Sequence, residues 1–263
     1  MNVLLIGDII GKPGRQLLES YLPAFIQQYD LDFIVANAEN VAHGFGVTPE
    51  LADDLLRMGV DVLTSGNHIW DKKEILEYLR GDSRLLRPAN FPSIAPGKGY
   101  TIALSRSGLK VGVLNLQGRI FMGPSEDPFH IGMQIVEKIR KETPLIFVDM
   151  HAEATSEKQA MGWFLDGKVS CVFGTHTHVP TADQRVLPGG TAYVTDVGMT
   201  GPYDSVIGLE REQIIQRFLD QMPTRFTPAK ENPILQAMLV DVDSQTGHAI
   251  SVRRITQKGE EED

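Results

Sequence analysis

The sequence predicts an α/β fold in which two sheets pack face to face beneath helices, and three observations lead to this fold class. Short runs rich in Val, Ile and Leu alternate with longer amphipathic segments over most of the chain. Strand signals also return in pairs near the C-terminus. Strands therefore stand both before and after the helices, an arrangement typical of sheets covered by helical layers.

The predicted strands are short and rich in β-branched residues, as expected where both faces of a sheet are buried. They are Val3–Ile6, Phe33–Ala36, Val60–Thr64, Val111–Leu116, Leu145–Val148 and Val169–Phe173. Tyr100–Leu116 is predicted to be a hairpin that turns at Ser107-Gly108. The C-terminal strands are predicted at Thr191–Thr195, Ala237–Val242 and Ala249–Ile255, with Thr246-Gly247 turning the last pair.

The segments between the strands have the periodicity of helices with one apolar face. They are Arg15–Tyr29, Glu74–Leu79, Gly132–Lys141 and Glu210–Met222. A further helix is predicted to begin after Thr48 as N-cap, with Pro49 in its first turn, and to close at Gly59. Pro23 leaves the continuity of the first helix open.

Composition is that of an ordinary globular protein, with 42% hydrophobic and 22% charged residues among 263. Disordered, coiled-coil and collagen-like chains are thereby excluded. No linker, internal repeat or low-complexity segment divides the sequence. We predict one domain over residues 1–257, followed by a charged and frayed tail over residues 258–263.

Charge and cysteine content narrow the cellular setting. The net charge of −9 argues against an extended nucleic-acid surface or an anionic-membrane surface. The lone Cys171 excludes a secreted disulfide scaffold. The N-terminus has no signal-peptide pattern, and no apolar stretch approaches the ~20 residues that span a bilayer. We therefore expect a soluble, cytoplasmic protein.

Side chains suited to ligand binding follow five of the predicted strands, where each strand ends. The five stretches are Gly7-Asp8, Asn37-Ala38-Glu39-Asn40, Ser65-Gly66-Asn67-His68, Asp149-Met150-His151 and Gly174-Thr175-His176-Thr177-His178. Four of the seven histidines lie in them. In open α/β sheets, ligands bind beyond the carboxyl ends of the strands, where loops converge. We expect these distant residues to meet in one patch.

The residue types in this patch indicate a metal centre. Imidazole and carboxylate together suit Mn, Fe, Zn or Ni better than Mg or Ca, and the lack of thiolates argues against iron–sulfur or structural zinc. More than four candidate ligands leave room for two metals, and a pair about 3.5–4 Å apart recurs in phosphoester hydrolysis. One such motif alone is more often a hydrogen-bonded loop, but five together favour chemistry.

Other catalytic motifs are incomplete. Gly7–Lys12 is close to a phosphate loop, but its glycines are separated by three residues rather than four, and Pro13 follows the lysine. The two glycines around Phe45 do not complete a dinucleotide fingerprint, and neither G-x-S-x-G nor H-E-x-x-H occurs. Cys171 lies inside an apolar strand, which favours a packed hydrophobe over a nucleophile.

The ordered motifs resemble those of the calcineurin-like binuclear metallophosphoesterases, and more closely their bacterial YmdB-like branch of cyclic-nucleotide phosphodiesterases. The most specific stretches are Gly7-Asp8 with Gly11–Arg15, Glu39-Asn40 with Ala42-His43-Gly44, Gly66-Asn67-His68 with Trp70–Glu74, Arg87–Pro92, His151-Ala152-Glu153 and Gly174–His178. The resemblance covers nearly the whole chain. It implies a four-layer α/β/β/α sandwich of two mixed sheets with the metals at the strand ends.

The resemblance also implies roles for individual residues. The first metal would be held by Asp8, Glu39, Asn40 and His178. The second would be held by Glu39, Asn67, His151 and His176, with Glu39 bridging. His68 would be an acid that does not bind metal. Ile10 stands where the wider superfamily has a histidine, and the bridging residue is Glu39 rather than Asp. Both departures belong to the YmdB-like pattern. The resemblance to that branch makes Fe or Mn the expected metal.

The function expected from these roles is hydrolysis of small cyclic nucleotides, 2′,3′-cyclic forms first, by a metal-bridging hydroxide with His68 as proton donor. Two alternatives stay open: a phosphomonoesterase or nucleotidase that uses the same metals, and a nucleotide-sensing regulatory protein with incidental hydrolysis. A nucleic-acid-binding module is disfavoured by the net charge. The expected partner is the small phosphodiester substrate, and the family makes a homo-oligomer plausible.

Overall fold

A computed structural model describes residues 1–81 and 84–259. Its helices are α1 (Gly11–Gln28), α2 (Pro49–Arg57), α3 (Ile75–Arg80), α4 (Pro128–Ile139), α5 (Thr155–Leu165) and α6 (Arg211–Asp220). The strands are β1 (Asn2–Ile6), β2 (Asp8–Ile9), β3 (Leu31–Asn37), β4 (Val62–Thr64), β5 (Tyr100–Leu104), β6 (Lys110–Gln117), β7 (Ile146–His151), β8 (Cys171–Thr175), β9 (Arg185–Val186), β10 (Ala192–Val194), β11 (Met199–Pro202), β12 (Pro233–Val242) and β13 (Ala249–Lys258).

The strands form two mixed sheets, as the sequence predicts. One sheet has the order β2-β11-β12-β1-β3-β4, with β13 paired to β12. The other has the order β5-β6-β7-β8-β10-β9. In the first sheet β1, β3 and β4 run parallel, and in the second β6, β7, β8 and β10 run parallel. The predicted hairpins are confirmed, since β5 pairs with β6 and β12 with β13 in antiparallel register.

Three apolar cores give the chain its four layers. The central core lies between the sheets, where Val3 and Phe33 of the first sheet pack with Phe147 and Phe173 of the second. Cys171 is buried in this core, as predicted. The outer cores join α1 and α2 to the first sheet, and α4 and α5 to the second. The four-layer α/β/β/α sandwich expected from the sequence is therefore present.

Several element boundaries differ from the predicted ones. Helix α1 runs unbroken through Pro23, which lies on its exposed side, where water can satisfy the carbonyl that the missing N–H leaves free. Strand β13 continues through Lys258, and the Gly259 amide donates to the Pro233 carbonyl. The first residue assigned to the tail thus belongs to the sheet, while residues 260–263 lie outside the described residues.

Helix α5 has no counterpart among the predicted helices. Its inward face includes Glu157 and Lys158, both buried, alongside Met161 and Leu165. A helix that turns charged side chains inward lacks the apolar stripe on which periodicity depends. Over the described part of the chain, no helix has the length and apolar character that a membrane crossing demands.

Candidate metal centre

Three of the predicted ligands meet around a nitrogen of a fourth, at the carboxyl edge of the two sheets. Nε2 of His151 lies 3.1 Å from Oε1 of Glu39, 3.1 Å from Oδ1 of Asn67 and 3.1 Å from Nδ1 of His176. Glu39, Asn67 and His176 follow β3, β4 and β8, and His151 is the last residue of β7, so both sheets contribute. We call Glu39, Asn67, His151 and His176 the inner cluster.

The other predicted ligands form a looser group beside the inner cluster. Nε2 of His178 lies 3.9 Å from Oδ1 of Asp8. The two groups are joined because the backbone N–H of His176 donates to Oδ2 of Asp8, at 3.1 Å. Asn40 is buried, and its side-chain amide donates to the Gly44 carbonyl at 2.8 Å. We call Asp8, Asn40 and His178 the outer group.

Unsatisfied oxygens show that these residues fit a cation. Oδ1 of Asp8 and Oδ1 of Asn40 are buried and accept no hydrogen bond, and buried Oε1 of Glu39 has no partner beyond its ion-pair contact with His151. Burying such groups is costly unless something compensates them. Ligand atoms about 2.1 Å from a metal and at right angles to each other stand about 3.0 Å apart. The 3.1 Å spacings around His151 match that geometry.

Hydrogen bonds fix which nitrogen of His151 can bind a metal. Oγ1 of Thr175 donates to Oδ1 of Asp149 at 2.7 Å and lies 2.9 Å from Nδ1 of His151. Because the hydroxyl proton is already given to Asp149, the threonine oxygen must accept from His151, which places a proton on Nδ1. The lone pair of Nε2 is thereby left for a metal, as in other buried histidine ligands.

Contacts with neighbouring acceptors also orient the rings of His176 and His178. Nε2 of His176 lies 3.2 Å from a carboxylate oxygen of Glu153, so Nδ1 faces the inner cluster. Nδ1 of His178 donates to the Ile207 carbonyl at 2.7 Å, which leaves Nε2 toward Asp8. Each predicted histidine ligand thus has its other nitrogen held by an acceptor.

Electrostatics link Glu39 and His151 as a buried pair. Burial alone would raise the pKa of Glu39, but attraction to His151 and a hydrogen bond with it outweigh burial and lower the pKa to about 2. Burial also opposes charge on His151, yet Glu39 raises the pKa of His151 to about 9. Burial, with His151 beside it, lowers the pKa of His176 to about 3. A proton on His151 therefore balances the carboxylate in the metal-free chain, and a metal must displace it.

A buried ion pair supports the loop that carries His176 and His178. Nζ of Lys158 lies 2.7 Å from Oδ2 of Asp196, and both side chains are almost fully buried. The same oxygen accepts from the backbone N–H of Thr177 at 3.2 Å and from its hydroxyl at 2.7 Å. His176 and His178 have φ angles of 94° and 65°, a region that non-glycine residues rarely adopt. The ion pair thus holds a strained loop in place.

His68 stands at the rim of the inner cluster. Its backbone N–H donates to Oε2 of Glu39 at 3.1 Å, and its Nδ1 lies 2.8 Å from Oδ2 of Asp71. The ring is 28% exposed and meets the Phe45 ring edge-on at 5.1 Å between centroids. Asp71 occupies Nδ1, so Nε2 is the nitrogen of His68 that can reach a ligand.

Glycine permits the close approach of the first and second sheets at this edge. A Cβ on Gly66 would lie 2.0 Å from the His151 ring, so no larger residue fits between β4 and that imidazole. Gly66 precedes Asn67 directly, and the absence of a side chain therefore lets Asn67 and His151 come together.

Several residues that support the site have no role predicted from the sequence. Asp71 and Glu153 lie in the family motifs, three and two residues after His68 and His151, and that short spacing is the signal that could identify them. Lys158 and Asp196 gave no signal, because 38 residues separate them.

The two-sheet sandwich with imidazoles and carboxylates at one edge is the architecture of the metallophosphoesterases. Within that class, the chain belongs to the YmdB-like family, whose model, described as YmdB-like protein, matches residues 4–255.

Relatives match over almost the whole chain. A 2′,3′-cyclic-nucleotide 2′-phosphodiesterase of Bacillus subtilis is 49% identical, covering 97% of this chain and 96% of its own. A crystal structure of a hypothetical protein from Thermus thermophilus has a TM-score of 0.92 at 39% identity, covering 98% of this chain and 99% of that one. A crystal structure described as a novel phosphatase from Mycoplasma pneumoniae has a TM-score of 0.92 at 34% identity, covering 98% and 93%.

Proposed function

We propose that the protein is a metal-dependent phosphodiesterase that hydrolyses small cyclic nucleotides, with 2′,3′-cyclic nucleoside monophosphates as preferred substrates. The observation that carries the proposal is the inner cluster, in which carboxylate, amide and two imidazoles converge on one point. The activity named for the Bacillus subtilis relative supports the substrate class.

The proposed centre holds two transition-metal ions, Fe or Mn. Glu39, Asn67, His151 and His176 would hold one ion, and Asp8, Asn40 and His178 the other, with Glu39 bridging. Unsatisfied oxygens in both groups support this division. When bound, the pair would activate water near neutral pH and offset charge on the phosphoryl oxygens.

His68 is the proposed proton donor to the leaving sugar oxygen. A sugar alkoxide leaves poorly unless it receives a proton, and His is the commonest side chain for that transfer. The ring is held by its backbone bond to Glu39 and by Asp71 at Nδ1. Nε2 would then carry the transferred proton, and Asp71 would stabilise the charged ring.

Metal analysis with a substrate panel tests the proposal. Purified protein should contain Fe or Mn, and metal-loaded protein should hydrolyse 2′,3′-cyclic AMP faster than 3′,5′-cyclic AMP or 5′-AMP. A chelator should abolish the activity, and added Mn should restore it. Full activity in protein stripped of metal would refute the metal-dependent mechanism.

The second candidate function is a phosphomonoesterase, which the description of the Mycoplasma pneumoniae structure as a phosphatase favours. Faster release of phosphate from p-nitrophenyl phosphate than hydrolysis of bis-p-nitrophenyl phosphate would support it. Tight nucleotide binding with negligible turnover in metal-replete protein would instead support the regulatory alternative. The cytoplasmic location and homo-oligomer expected from the sequence stay predictions.

A further inference from the structure

The loop between β6 and α4, residues 118–127, exposes apolar side chains although it is firmly anchored. Phe121 is 90% exposed and Ile120 46% exposed. Phe121 also has a φ of 60°, which is unusual for a bulky residue and marks local strain. We call Ile120 and Phe121 the loop tip. An exposed aromatic ring on a fixed backbone can offer its face to a ligand with little loss of conformational freedom.

Asn90 clamps both ends of this loop. Its side-chain amide donates to the carbonyls of Gln117 at 2.8 Å and Glu126 at 2.9 Å. Its Oδ1 accepts from the Gln117 N–H at 2.8 Å, and its carbonyl accepts from the Glu126 N–H at 2.8 Å. Asn90 is completely buried, and its two bonds to Gln117 are buried with it. Asn90 belongs to the Arg87–Pro92 motif, which contributes no ligand to the metal centre, and anchoring this loop gives that residue a structural role.

Two further contacts fix the middle of the loop. The Glu157 carboxylate accepts from the backbone N–H of Arg119 at 3.0 Å and of Ile120 at 3.4 Å. The side-chain amide of Gln117 donates to the Gly123 carbonyl at 3.4 Å. The backbone on both sides of Phe121 is therefore held, and the exposed ring is a built feature of the loop.

The loop begins beside the inner cluster. Gln117 pairs with His151 in the parallel register of β6 and β7, and the Gly118 N–H donates to the His151 carbonyl at 2.9 Å. Phe121 is only three residues further along. A chain segment of that length spans at most about 10 Å, so the Phe121 backbone lies within about 10 Å of Gly118 at the sheet edge that carries the inner cluster.

We propose that the loop tip is the contact surface for the nucleobase of the substrate, with Phe121 stacking on the base. This inference rests on the proposed function, because it assigns the part of a cyclic nucleotide that lies outside the metal centre. Aromatic rings bind bases through their faces and tolerate any base, since every base has a π-face. The phosphate would lie at the inner cluster while the base packs on Phe121.

A pair of substrates that differ only in the base tests this assignment. In metal-loaded Phe121→Ala, KM for 2′,3′-cyclic AMP should rise roughly 10-fold, the scale of a lost base–aromatic stack, with kcat little changed. Glycerol 1,2-cyclic phosphate has the same five-membered ring but no base, and its kinetic constants should be unchanged. Phe121→Trp should keep the wild-type KM for the nucleotide. Because Phe121 is exposed, neither variant should impair folding.

Leu104→Ala is the matched control. Leu104 is 66% exposed and pairs with Lys110 at the opposite end of β6, far from the carboxyl edge. Leu104→Ala should leave the kinetic constants for both substrates at their wild-type values. An unchanged nucleotide KM in Phe121→Ala, or an equal rise with both substrates, would overturn the loop assignment alone. Wild-type protein that hydrolyses the glycerol ester but no cyclic nucleotide would overturn the proposed function, and the loop assignment with it.

Discussion

The two halves of the candidate metal centre are built by different means. The inner cluster is set by strands. His151 ends β7, and the ligand atoms of Glu39, Asn67 and His176, which follow β3, β4 and β8, each lie 3.1 Å from its Nε2. The outer group depends on a loop, and its Asp8–His178 distance is 3.9 Å. The loop held by Lys158 and Asp196 carries one ligand of each half, but His176 follows β8 directly, whereas His178 lies further along the loop.

The largest expected effects come from replacing one histidine ligand in each half of the metal centre. The two variants test whether the halves bind separate metal ions. His151→Ala should abolish activity and lower the metal content, because it removes the nitrogen on which the inner cluster converges. His178→Ala should remove the outer metal and leave about one ion per chain. Elemental analysis measures both, with the exposed His130→Ala as control. Full metal content in His151→Ala would contradict the ligand assignment.

Replacing His68 should affect chemistry without affecting either half. His68→Ala should lower kcat by about 10²–10⁴-fold, the usual range for a general acid, while the metal content stays at the wild-type value. Asp71→Asn should give a smaller loss, since Asp71 acts only through the ring. Wild-type turnover by His68→Ala would exclude this residue as the proton donor.

Much of the site could be predicted because its residues follow strands directly. Asp8 follows β1 after a single glycine, and His151 ends β7, so parallel strands bring their ends to one edge. The four layers are predictable as well, because buried strands and amphipathic helices have distinct hydrophobic patterns. The continuity of α1 through Pro23 and the C-terminal end of β13 are less predictable, because they depend on solvent exposure and on strand pairing.

The supporting residues could not be predicted, because their roles are set by tertiary contacts. Lys158 lies on a helix without an apolar stripe, and its partner Asp196 is 38 residues away. Thr175 is a small polar residue inside a strand, and only the structure places its hydroxyl between Asp149 and His151. The phase of a strand gives the direction of a side chain but does not identify its partner.

Breaking the buried ion pair should weaken the outer group, whose His178 lies further along the loop, more than the inner cluster. Lys158→Met leaves the Asp196 carboxylate uncompensated and should lower the free energy of unfolding by about 3–5 kcal/mol, as urea unfolding would measure. The double variant Lys158→Met with Asp196→Asn should recover part of that loss.

Metal titration of folded Lys158→Met distinguishes the two halves. The outer site should lose more affinity than the inner site, because His178 lies beyond the held Thr177 in the loop, whereas His176 follows β8 directly. Equal losses at both sites would show that Lys158 acts on overall stability alone.

The smallest expected effect concerns the orientation of His151 within the inner cluster. Thr175→Val keeps the shape of the side chain but removes the hydroxyl that accepts from Nδ1 and donates to Asp149. Metal affinity at the inner site should fall by about 10–100-fold, the usual cost of losing a partner behind a ligand. Thr175→Ser keeps the hydroxyl and should bind metal like the wild type. Because Thr175 is buried in β8, unfolding must be measured alongside the titration. If both variants bind metal equally well, strand β7 positions His151 without the Thr175 hydrogen bond. The inner cluster would then depend on its strands even more than the structure indicates.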